Sequence, residues 1–469
     1  MTLRIYDTRA RALRDFTPLV PGVVGIYVCG PTVQSPAHVG HLRSAIAFDV
    51  LRRWLMESGY DVMFLRNVTD IDDKVLVNAD KQGRPWWEVA TTNTRAFNEA
   101  YDAVGVLPPS VEPRATGHIP DMVALIERVI AAGHAYSPGD GNVWFDVRSL
   151  PSYGELSGQR PDAMQGDPAD LVSGKRDPLD FALWKAAKPT EPESASWETP
   201  WGRGRPGWHI ECSAMASRYL GPVFDIHGGG VDLQFPHHEN ELAQSSAAGD
   251  EFARYWMHNG LVNAGAEKMS KSLGNFQLAL ELLEQVRPVV LRYAMAAPHY
   301  RSVLAWSDEG LAEAATAYGR IETFVRNAAA AVGDTAPADD ASATWAEFAA
   351  AMDDDLGVPQ ALAVIHGAVR AGNTVLETGG SLPELASVLS VVRRMLAVLG
   401  LDPQQWPSSE SGRLTGVVDE LVQVVLTARA EARARKDFAA ADSIRDRLVT
   451  AGIVVEDTSA GARWRLAGD

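Results

Sequence analysis

The sequence predicts an α/β fold: a doubly wound, Rossmann-like parallel sheet with an insertion, followed by a helical domain and a small C-terminal domain. Two observations support this prediction. In the first third of the chain a strand, a helix and a second strand follow one another, as in a parallel βαβ unit. After Trp306 the chain becomes rich in alanine and is predicted to be all-helical.

The βαβ unit begins with Val23–Val28, an apolar, β-branched run that is typical of a buried strand. A loop that contains glycine and proline follows it. Residues 41–60 then place apolar side chains at helical spacing, and Gly59 ends this predicted helix. Residues 61–66 are the next predicted strand, so the two strands are expected to be parallel neighbours.

The pattern loosens over residues 117–200, which we interpret as an insertion between two halves of the nucleotide-binding fold. A helix is predicted over residues 119–132 and a strand over residues 142–147, among stretches rich in Pro, Gly and Asp. The α/β pattern resumes with a strand at residues 223–227. A turn at the three glycines 228–230 and a helix from about His237 are predicted to follow.

The predicted helical part is interrupted at residues 333–341 and 403–412, which suggests two domains after the catalytic region. A basic helix near Arg429 is, taken alone, more typical of a solvated helical face than of a binding surface. The predicted boundaries are 1–116 and 201–305 for the two halves of the nucleotide-binding domain, 117–200 for the insertion, 306–402 for the helical bundle and 403–469 for a small C-terminal domain.

Composition excludes several classes of protein. The 469 residues are 46% hydrophobic and 22% charged, as in a soluble globular protein, and the net charge of −17 disfavours a general nucleic-acid binder without excluding a local basic face. Only two cysteines occur, so the chain is not a disulfide scaffold. No apolar run is long enough for a membrane span and no signal peptide is recognisable, so we expect a cytoplasmic protein with no membrane partner.

The segment P-T-V-Q-S-P-A-H-V-G-H at residues 31–41 follows a predicted strand and opens a predicted helix. Backbone N–H groups and the positive dipole end at a helix start form an anion site, and His38 and His41 would add donors beside a phosphate. Gly40 would let backbone and nucleotide approach closely. Alone, the pattern H-x-G-H is a weak signal.

The string K-M-S-K-S at residues 268–272 lies in a loop between apolar segments. Lys268 and Lys271 are mobile point charges, suited to the dispersed negative charge of a triphosphate. With the histidine segment, this string resembles the two signature motifs, usually written HIGH and KMSKS, of class I aminoacyl-tRNA synthetases. The first motif has Val39 in place of Ile.

The two cysteines lie far apart in sequence, and each has a motif near it. Cys29 ends the first predicted strand, and Cys212 lies in G-W-H-I-E-C-S-A-M. His237 and Glu241 are four residues apart, so on a helix they share one face and can bind one ion. Two thiolates, an imidazole and a carboxylate would suit Zn²⁺, although the sequence contains neither a C-x-x-C pair nor H-E-x-x-H.

Over nearly its whole length the chain resembles the cysteinyl-tRNA synthetase family. The motifs Y-V-C-G-P-T-V, N-V-T-D-I-D-D-K, G-W-H-I-E-C-S-A-M, F-D-I-H-G-G-G-V-D-L and F-P-H-H-E-N-E stand in the family's order. The resemblance implies activation of L-cysteine with ATP and Mg²⁺, transfer to tRNA(Cys), and a monomer. It implies that the two halves 1–116 and 201–305 form the catalytic domain and that residues 403–469 form an anticodon-recognition domain. It also implies one zinc ion per chain, bound by Cys29, Cys212, His237 and Glu241.

The same resemblance assigns the other candidate residues. Those expected around the amino acid are Gly30, Thr69, Trp208 and Asp232. Those expected to contact ATP are Pro31, Thr32, His38, Gly40, His41 and Lys271. The expected catalytic residues are His38, His41, Lys268 and Lys271. One departure is visible, because Gln34, Ser35 and Pro36 stand where the family commonly has an aromatic and an acidic residue.

A metal would solve the problem of distinguishing cysteine from serine, which a shape-based pocket discriminates by only about 1–3 kcal/mol. Metal coordination deprotonates a thiol, whereas a serine hydroxyl ionises far less readily and suits a soft site poorly. We therefore expect zinc to act in recognition, with no editing domain. Because four protein ligands already complete a tetrahedral site, we expect Glu241 to leave the metal ion when the substrate sulfur binds.

Two alternatives stay open at this point. A cysteine:amino-sugar ligase of the mycothiol pathway would share the zinc and nucleotide motifs, but it has less need of an anticodon-reading end. A catalytically silent, synthetase-like RNA-binding protein would not need the intact histidines, lysines and metal ligands. A third pattern, G-x-G-x-x-G at residues 202–207, lacks a preceding strand, which argues against a nicotinamide or flavin site. Arg203 and Arg205 would instead face RNA.

Overall fold

The computed structural model describes residues 2–163, 174–264, 267–268, 277–337, 342–406, 409–458 and 461–466. The chain forms two compact units, Met1–Asp402 and Pro403–Asp469. Among the described residues, no helix combines the length and the apolarity that crossing a membrane requires.

The first unit opens with an antiparallel hairpin and then the predicted βαβ unit. Its elements are β1 (Arg4–Asp7), β2 (Ala12–Asp15), β3 (Val23–Val28), α1 (Val39–Glu57), β4 (Asp61–Arg66), α2 (Asp73–Gln82) and α3 (Trp86–Ala103). Strands β3 and β4 are parallel and pair in register from Val23 with Asp61 to Val28 with Arg66. The prediction of a parallel βαβ unit is confirmed.

Residues between α3 and the second half of the fold form a separate antiparallel sheet of four strands. Helix α4 (Ile119–Ala131) precedes this sheet. Its strands are β5 (Ala135–Tyr136), β6 (Val143–Phe145), β7 (Phe181–Ala186) and β8 (Gly204–Pro206), and they are neighbours in the sheet in this order. Gly204 and Pro206 thus lie within a strand of this sheet. Arg205 between them is buried and ion-paired with Asp73 and Glu191, so it does not face RNA.

The second half completes the parallel sheet. Its elements are α5 (Trp208–Leu220), β9 (Val223–Gly230), α6 (Glu239–Ala247), β10 (Phe252–Asn259), β11 (Val262–Ala264), β12 (Glu267–Lys268), α7 (Ala279–Leu283), α8 (Pro288–Ala296) and β13 (Leu304–Trp306). The sheet order is β10-β9-β3-β4, with every pair parallel. In such sheets, ligands bind at the carboxyl ends of the strands.

The predicted turn at residues 228–230 is wrong, because β9 continues through all three glycines and pairs with β10 as far as Gly230. The reason is packing against α1. A Cβ added at Gly228 would lie 2.2 Å from the ring of Phe48, so only glycine lets the helix approach the strand this closely. Gly228 is therefore a point of close contact with α1.

Four helices complete the first unit: α9 (Asp308–Val332), α10 (Ser342–Asp353), α11 (Val358–Thr378) and α12 (Leu382–Leu399). The buried side chain of Arg292 connects the last of these helices to the domain that contains the parallel sheet. In α8, Arg292 donates to the carboxylate of Asp49 in α1, and both side chains are at most 2% exposed. The same guanidinium donates to the carbonyl of Leu399 at the end of α12, over 2.9 Å.

The second unit contains α13 (Ser409–Ala434), α14 (Phe438–Thr450), β14 (Ile453–Thr458) and β15 (Gly461–Leu466). The two strands are antiparallel. The prediction that the chain is all-helical after Trp306 is therefore wrong for its last part. The β-branched run Ile453-Val-Val favours a strand over a helix, and the predicted basic cluster lies on α13 and α14.

Candidate metal centre and nucleotide site

Four side chains that are far apart in sequence meet at the carboxyl ends of β3 and β9. Cys29 follows β3, Cys212 lies in α5, His237 lies in the turn before α6, and Glu241 lies in α6. One ligand atom from each lies within 4.8 Å of the others. The structure thus brings together the four residues of the predicted metal set.

The individual distances within this set are short. The Sγ atom of Cys29 lies 3.6 Å from Sγ of Cys212 and 3.2 Å from Oε1 of Glu241. Nε2 of His237 lies 3.1 Å from the same carboxylate oxygen. Cys212, His237 and Glu241 are buried and Cys29 is partly exposed, so the centre opens toward solvent on the side of Cys29.

A second donor set overlaps with the first. It keeps Cys29 and Glu241 and adds His227 and His238. His227 Nε2 lies 2.8 Å from Oε2 of Glu241, the oxygen that does not face His237. The first set contains both thiols, and thiolate ligands favour zinc over harder ions, so the first set is the better zinc site.

His209 fixes the orientation of His237. Nδ1 of His209 lies 2.9 Å from Nδ1 of His237, so one ring must donate and the other accept. Burial, with a smaller contribution from the charge of Lys185, lowers the pKa of His209 to about 3, which keeps its ring neutral. If His209 accepts at Nδ1, His237 carries its proton there and presents a bare Nε2 to the centre, as a metal ligand must.

The electrostatics of the centre fit a cation. Burial raises the pKa of Cys29 well above its usual value, and the neighbouring Cys212 and Glu241 raise it further. Burial also raises the pKa of Cys212. Two thiolates and a carboxylate this close repel one another, and a divalent metal ion would offset that repulsion. The donor set therefore fits zinc.

A cavity of about 330 Å³ lies beside the metal centre. Cys29 forms part of its wall, so a substrate in the cavity has access to the centre. Eight further candidate residues line it: Gly30, Pro31, Thr32, His38, Gly40, His41, Trp208 and Asp232. The amino-acid and ATP candidates thus share one cavity.

The histidine segment forms the first turn of α1. The backbone N–H of His38 donates to Nδ1 of His41 over 3.1 Å, and the two rings lie 3.7 Å apart. Because Nδ1 accepts this bond, a neutral His41 ring carries its proton on Nε2. The first turn of α1 contains no acidic residue, so the positive end of the helix dipole is not neutralised there. The start of α1 therefore favours the binding of an anion.

Position 30 must be glycine, because the backbone of Asn67 passes close to it. Its N–H donates to Oδ1 of Asn67 over 2.7 Å, and a Cβ at this position would lie 1.7 Å from the carbonyl oxygen of Asn67. Thr69 does not line the cavity. Its backbone N–H donates to the carbonyl of Pro31, and its hydroxyl donates to Glu211 over 2.9 Å, so it supports the cavity wall from behind.

Trp208 connects the cavity to the metal centre. Its ring stacks on His237, with centroids 4.1 Å apart and planes inclined by 28°. Of the lysine pair, Lys268 ends strand β12, and its backbone alone is described. Lys271 lies outside the described residues. The structure therefore places neither lysine side chain relative to the cavity.

Three family models match the chain. Residues 15–316 match the model for the tRNA synthetases class I (C) catalytic domain, residues 347–404 match a DALR domain, and residues 415–465 match the cysteinyl-tRNA ligase anticodon binding domain. Proteins named cysteine–tRNA ligase from Streptomyces griseus and Beutenbergia cavernae are each 57% identical to the chain. The alignments cover 99% and 100%, respectively, of both this chain and its relative.

The chain belongs to the cysteinyl-tRNA synthetase family. The predicted family and the class I assignment are confirmed. The fold agrees as well, since a solved Mycobacterium tuberculosis methionyl-tRNA synthetase in complex with methionyl-adenylate matches with a TM-score of 0.59. That match covers 81% of this chain and 90% of the other at 19% identity, and it shows the shared fold alone.

Several polar residues of this cysteinyl-tRNA synthetase site were not predicted. Arg66 and Lys74 line the cavity, and His209 and His227 contact the metal set. Each of the four lies in or directly beside a motif quoted for the family resemblance. Their motif positions were the available signal, but only the three-dimensional structure shows which of them face the site.

Proposed function

We propose that the chain activates L-cysteine with ATP and transfers the cysteinyl group to tRNA(Cys). The observation that carries this proposal is the set of two thiols, an imidazole and a carboxylate, which opens into a cavity lined by the H-V-G-H turn. The names of the 57% identical relatives and the anticodon-binding match at residues 415–465 support the same activity.

The proposal includes one zinc ion per chain, held by Cys29, Cys212, His237 and Glu241. Bound there, zinc would take the substrate sulfur as a thiolate and would discriminate against the hydroxyl of serine. Glu241 is the ligand that we expect to leave the zinc ion when cysteine binds. In support, its second oxygen already has a partner in His227.

The protein residues act in activation by positioning. ATP, with Mg²⁺, would lie with its phosphates toward the first turn of α1, where the helix dipole and the Nε2 proton of His41 favour negative charge. The cysteine carboxylate then attacks the α-phosphate in line, an oxygen–phosphorus bond forms, and the bond to pyrophosphate breaks. Lys268 and Lys271 are proposed to stabilise the departing pyrophosphate, and no side chain becomes covalently bonded.

The amino acid is proposed to lie among Gly30, Thr69, Trp208 and Asp232, with Thr69 acting through the wall it supports. Of the two lining residues Trp208 and Asp232, the first begins α5 and the second lies in the turn that leads from β9 into α6. We further propose that the protein works as a monomer in the cytoplasm, where its tRNA partner is used.

A cysteine:amino-sugar ligase is the second candidate, because it would use the same metal and nucleotide chemistry. The match of residues 415–465 to an anticodon binding domain favours tRNA. A silent RNA-binding role is opposed by the assembled donor set and the intact histidine turn.

Two assays test the proposal. Cysteine-dependent exchange of pyrophosphate into ATP should occur with the purified protein, and its absence would favour the silent RNA-binding role. Charging of tRNA(Cys) with labelled cysteine should also occur. If exchange occurs without charging while an amino sugar accepts the cysteinyl group, the second candidate replaces the first.

A further inference from the structure

The second donor set has no task in the proposed function. It consists of Cys29, His227, His238 and Glu241, with one ligand atom of each within 4.8 Å of the others. Its two imidazoles and its carboxylate are fully buried, and only Cys29 is partly exposed. The set shares Cys29 and Glu241 with the first donor set, so the two imidazoles are the ligands that belong to it alone.

Glu241 presents one oxygen to each donor set. Its Oε1 lies 3.1 Å from Nε2 of His237 and 3.2 Å from Sγ of Cys29. Its Oε2 lies 2.8 Å from Nε2 of His227, and that nitrogen lies 4.0 Å from the same sulfur atom. A carboxylate can bridge two metal ions through its two oxygens, and a thiolate sulfur can also be shared. The common members therefore do not restrict the centre to one ion.

His238 has one nitrogen that is left for a ligand. Its Nδ1 lies 2.8 Å from Nε2 of His258, and Nδ1 of His258 lies 2.8 Å from the hydroxyl of Thr8. Its Nε2 is buried and has no hydrogen-bond partner among the described residues. If Nδ1 of His238 donates the ring proton to His258, Nε2 is bare, as a metal ligand must be. The pairing repeats the one between His209 and His237 beside the first set.

The charge of the centre favours a second cation. Two thiolates and one carboxylate carry three negative charges, so one divalent ion in the first set leaves one negative charge behind. Within the part of the chain that the structure describes, Glu241 forms ion pairs with histidines alone, and no Lys or Arg side chain neutralises it. Neutral imidazoles would add ligand atoms to the second set without adding positive charge.

We propose that the second donor set is a weaker site for a second divalent metal ion, and that zinc fits it best. One thiolate, one carboxylate and two imidazoles are ligands that zinc accepts. This inference rests on the zinc ion that the proposed function places in the first set. The second ion binds more weakly, because it shares two ligands with the first ion and is repelled by its charge.

The shared carboxylate links the second ion to the substrate. Glu241 is the ligand that we expect to leave the first ion when cysteine binds, and a second ion on Oε2 would stabilise it after it has left. Cysteine should therefore raise the affinity for the second ion, and the second ion should raise the affinity for cysteine by the same factor. Titration in a zinc buffer, which fixes the free zinc concentration in the presence of the substrate thiol, measures this linkage.

Zinc titration of the full-length protein counts the ions. Protein purified with its tightly bound ion should take up a second equivalent of zinc, added as zinc chloride alone and measured by competition with a chromophoric chelator. His238→Gln should hold the first ion and take up no second one, because it removes a ligand of the second set alone. His366→Gln is the matched control, since this histidine of α11 belongs to neither set, and it should bind two ions.

A second variant tests the orientation of His238. His258→Leu leaves every ligand in place but removes the partner of Nδ1. It should weaken binding of the second ion by about 10–100-fold, the usual effect of losing the partner of a metal-bound imidazole, and should leave the first ion bound. Thermal melting of each variant shows whether it is folded.

Cobalt provides a readout in the unaltered protein. Thiolate ligands give bound Co²⁺ an absorption band by charge transfer from sulfur. The first set contains two thiolates and the second contains one, which is shared, so the second equivalent of Co²⁺ should add a weaker sulfur band than the first. Because the two ions share Cys29, their electron spins should also be coupled. A second equivalent without any sulfur band would contradict the proposed site.

Three results would overturn the inference: a wild type that binds one ion at every zinc concentration, a second ion that persists in His238→Gln, or an affinity for the second ion that cysteine leaves unchanged. Persistence in His238→Gln would assign the second ion to other side chains. If the purified protein holds no zinc and takes up none, the metal of the proposed function fails. If it holds one ion and takes up no second, this inference alone fails.

Discussion

Arg292 of α8 and Asp49 of α1 form an ion pair from which solvent is excluded, since both side chains are at most 2% exposed. Burial by itself would raise the pKa of Asp49, but the charges of Arg292 and Arg53 outweigh that effect and lower the pKa. Because α1 begins with the H-V-G-H turn, this pair holds the helix that carries the turn against α8. Through the carbonyl of Leu399 it also holds α12.

Arg292→Met should lower the free energy of unfolding by about 3–5 kcal/mol, because it leaves the carboxylate of Asp49 buried without its main partner. Urea unfolding measures the change. Arg394→Met is the matched control: Arg394 also joins α12 to α1, through Glu57, but its side chain is 52% exposed. The control should cost about 1 kcal/mol or less. Equal losses in the two variants would contradict the importance of burial.

The two overlapping donor sets make different predictions about metal content. Cys212→Ser should lose nearly all bound zinc, whereas His238→Gln should keep about one ion per chain, because His238 belongs only to the second set. Elemental analysis of the purified variants measures this. Zinc retained by Cys212→Ser but lost by His238→Gln would instead select the set with His227 and His238.

Gly30→Ala should disrupt the loop after β3, since the added methyl group would lie 1.7 Å from the carbonyl oxygen of Asn67. We expect a loss of about 1–3 kcal/mol in unfolding free energy and a higher KM for cysteine. Gly117→Ala, where no atom lies within 4 Å of the added group, should change stability by less than about 0.5 kcal/mol. A normal KM in Gly30→Ala would show that this loop does not shape the amino-acid site.

Lys271→Ala should slow adenylate formation by about a hundredfold while leaving the affinity for cysteine nearly unchanged. The reason is that its charge is assigned to the pyrophosphate and not to the amino acid. Single-turnover kinetics and equilibrium binding of cysteine measure the two quantities separately. A parallel loss in both would contradict the role assigned to this lysine.

The ion pairs of Asp73 predict a pH dependence of stability. Burial opposes ionisation of this carboxyl, but the hydrogen bond and charge of Lys185, with Arg205 beside it, lower its pKa to about 2. A carboxyl whose pKa falls on folding stabilises the protein above its unfolded pKa of about 4 and loses that contribution as the pH falls toward about 2. The stability difference between wild type and Asp73→Asn should therefore be constant above about pH 5 and shrink below about pH 4. Urea unfolding at several pH values measures it, and a difference that grows on acidification would contradict the assignment.

Local sequence patterns were sufficient to predict β3, α1 and β4, because the apolar residues within each segment specify its secondary structure. They failed at Gly228, where the conformation depends on the ring of Phe48 from a distant helix. They also failed at the C-terminal hairpin, whose strands are of mixed polarity. His209 could not be assigned from sequence, because its role follows from a hydrogen bond to His237 that only tertiary packing creates.

The metal centre contains the only two sulfhydryl groups of the chain, Cys29 and Cys212. A chromogenic disulfide reagent applied to the folded protein therefore has no background elsewhere. Its reaction rate would report occupancy of the centre directly, without an engineered label and without removing other thiols first. Protection by added cysteine or by zinc can then be followed in the unaltered protein.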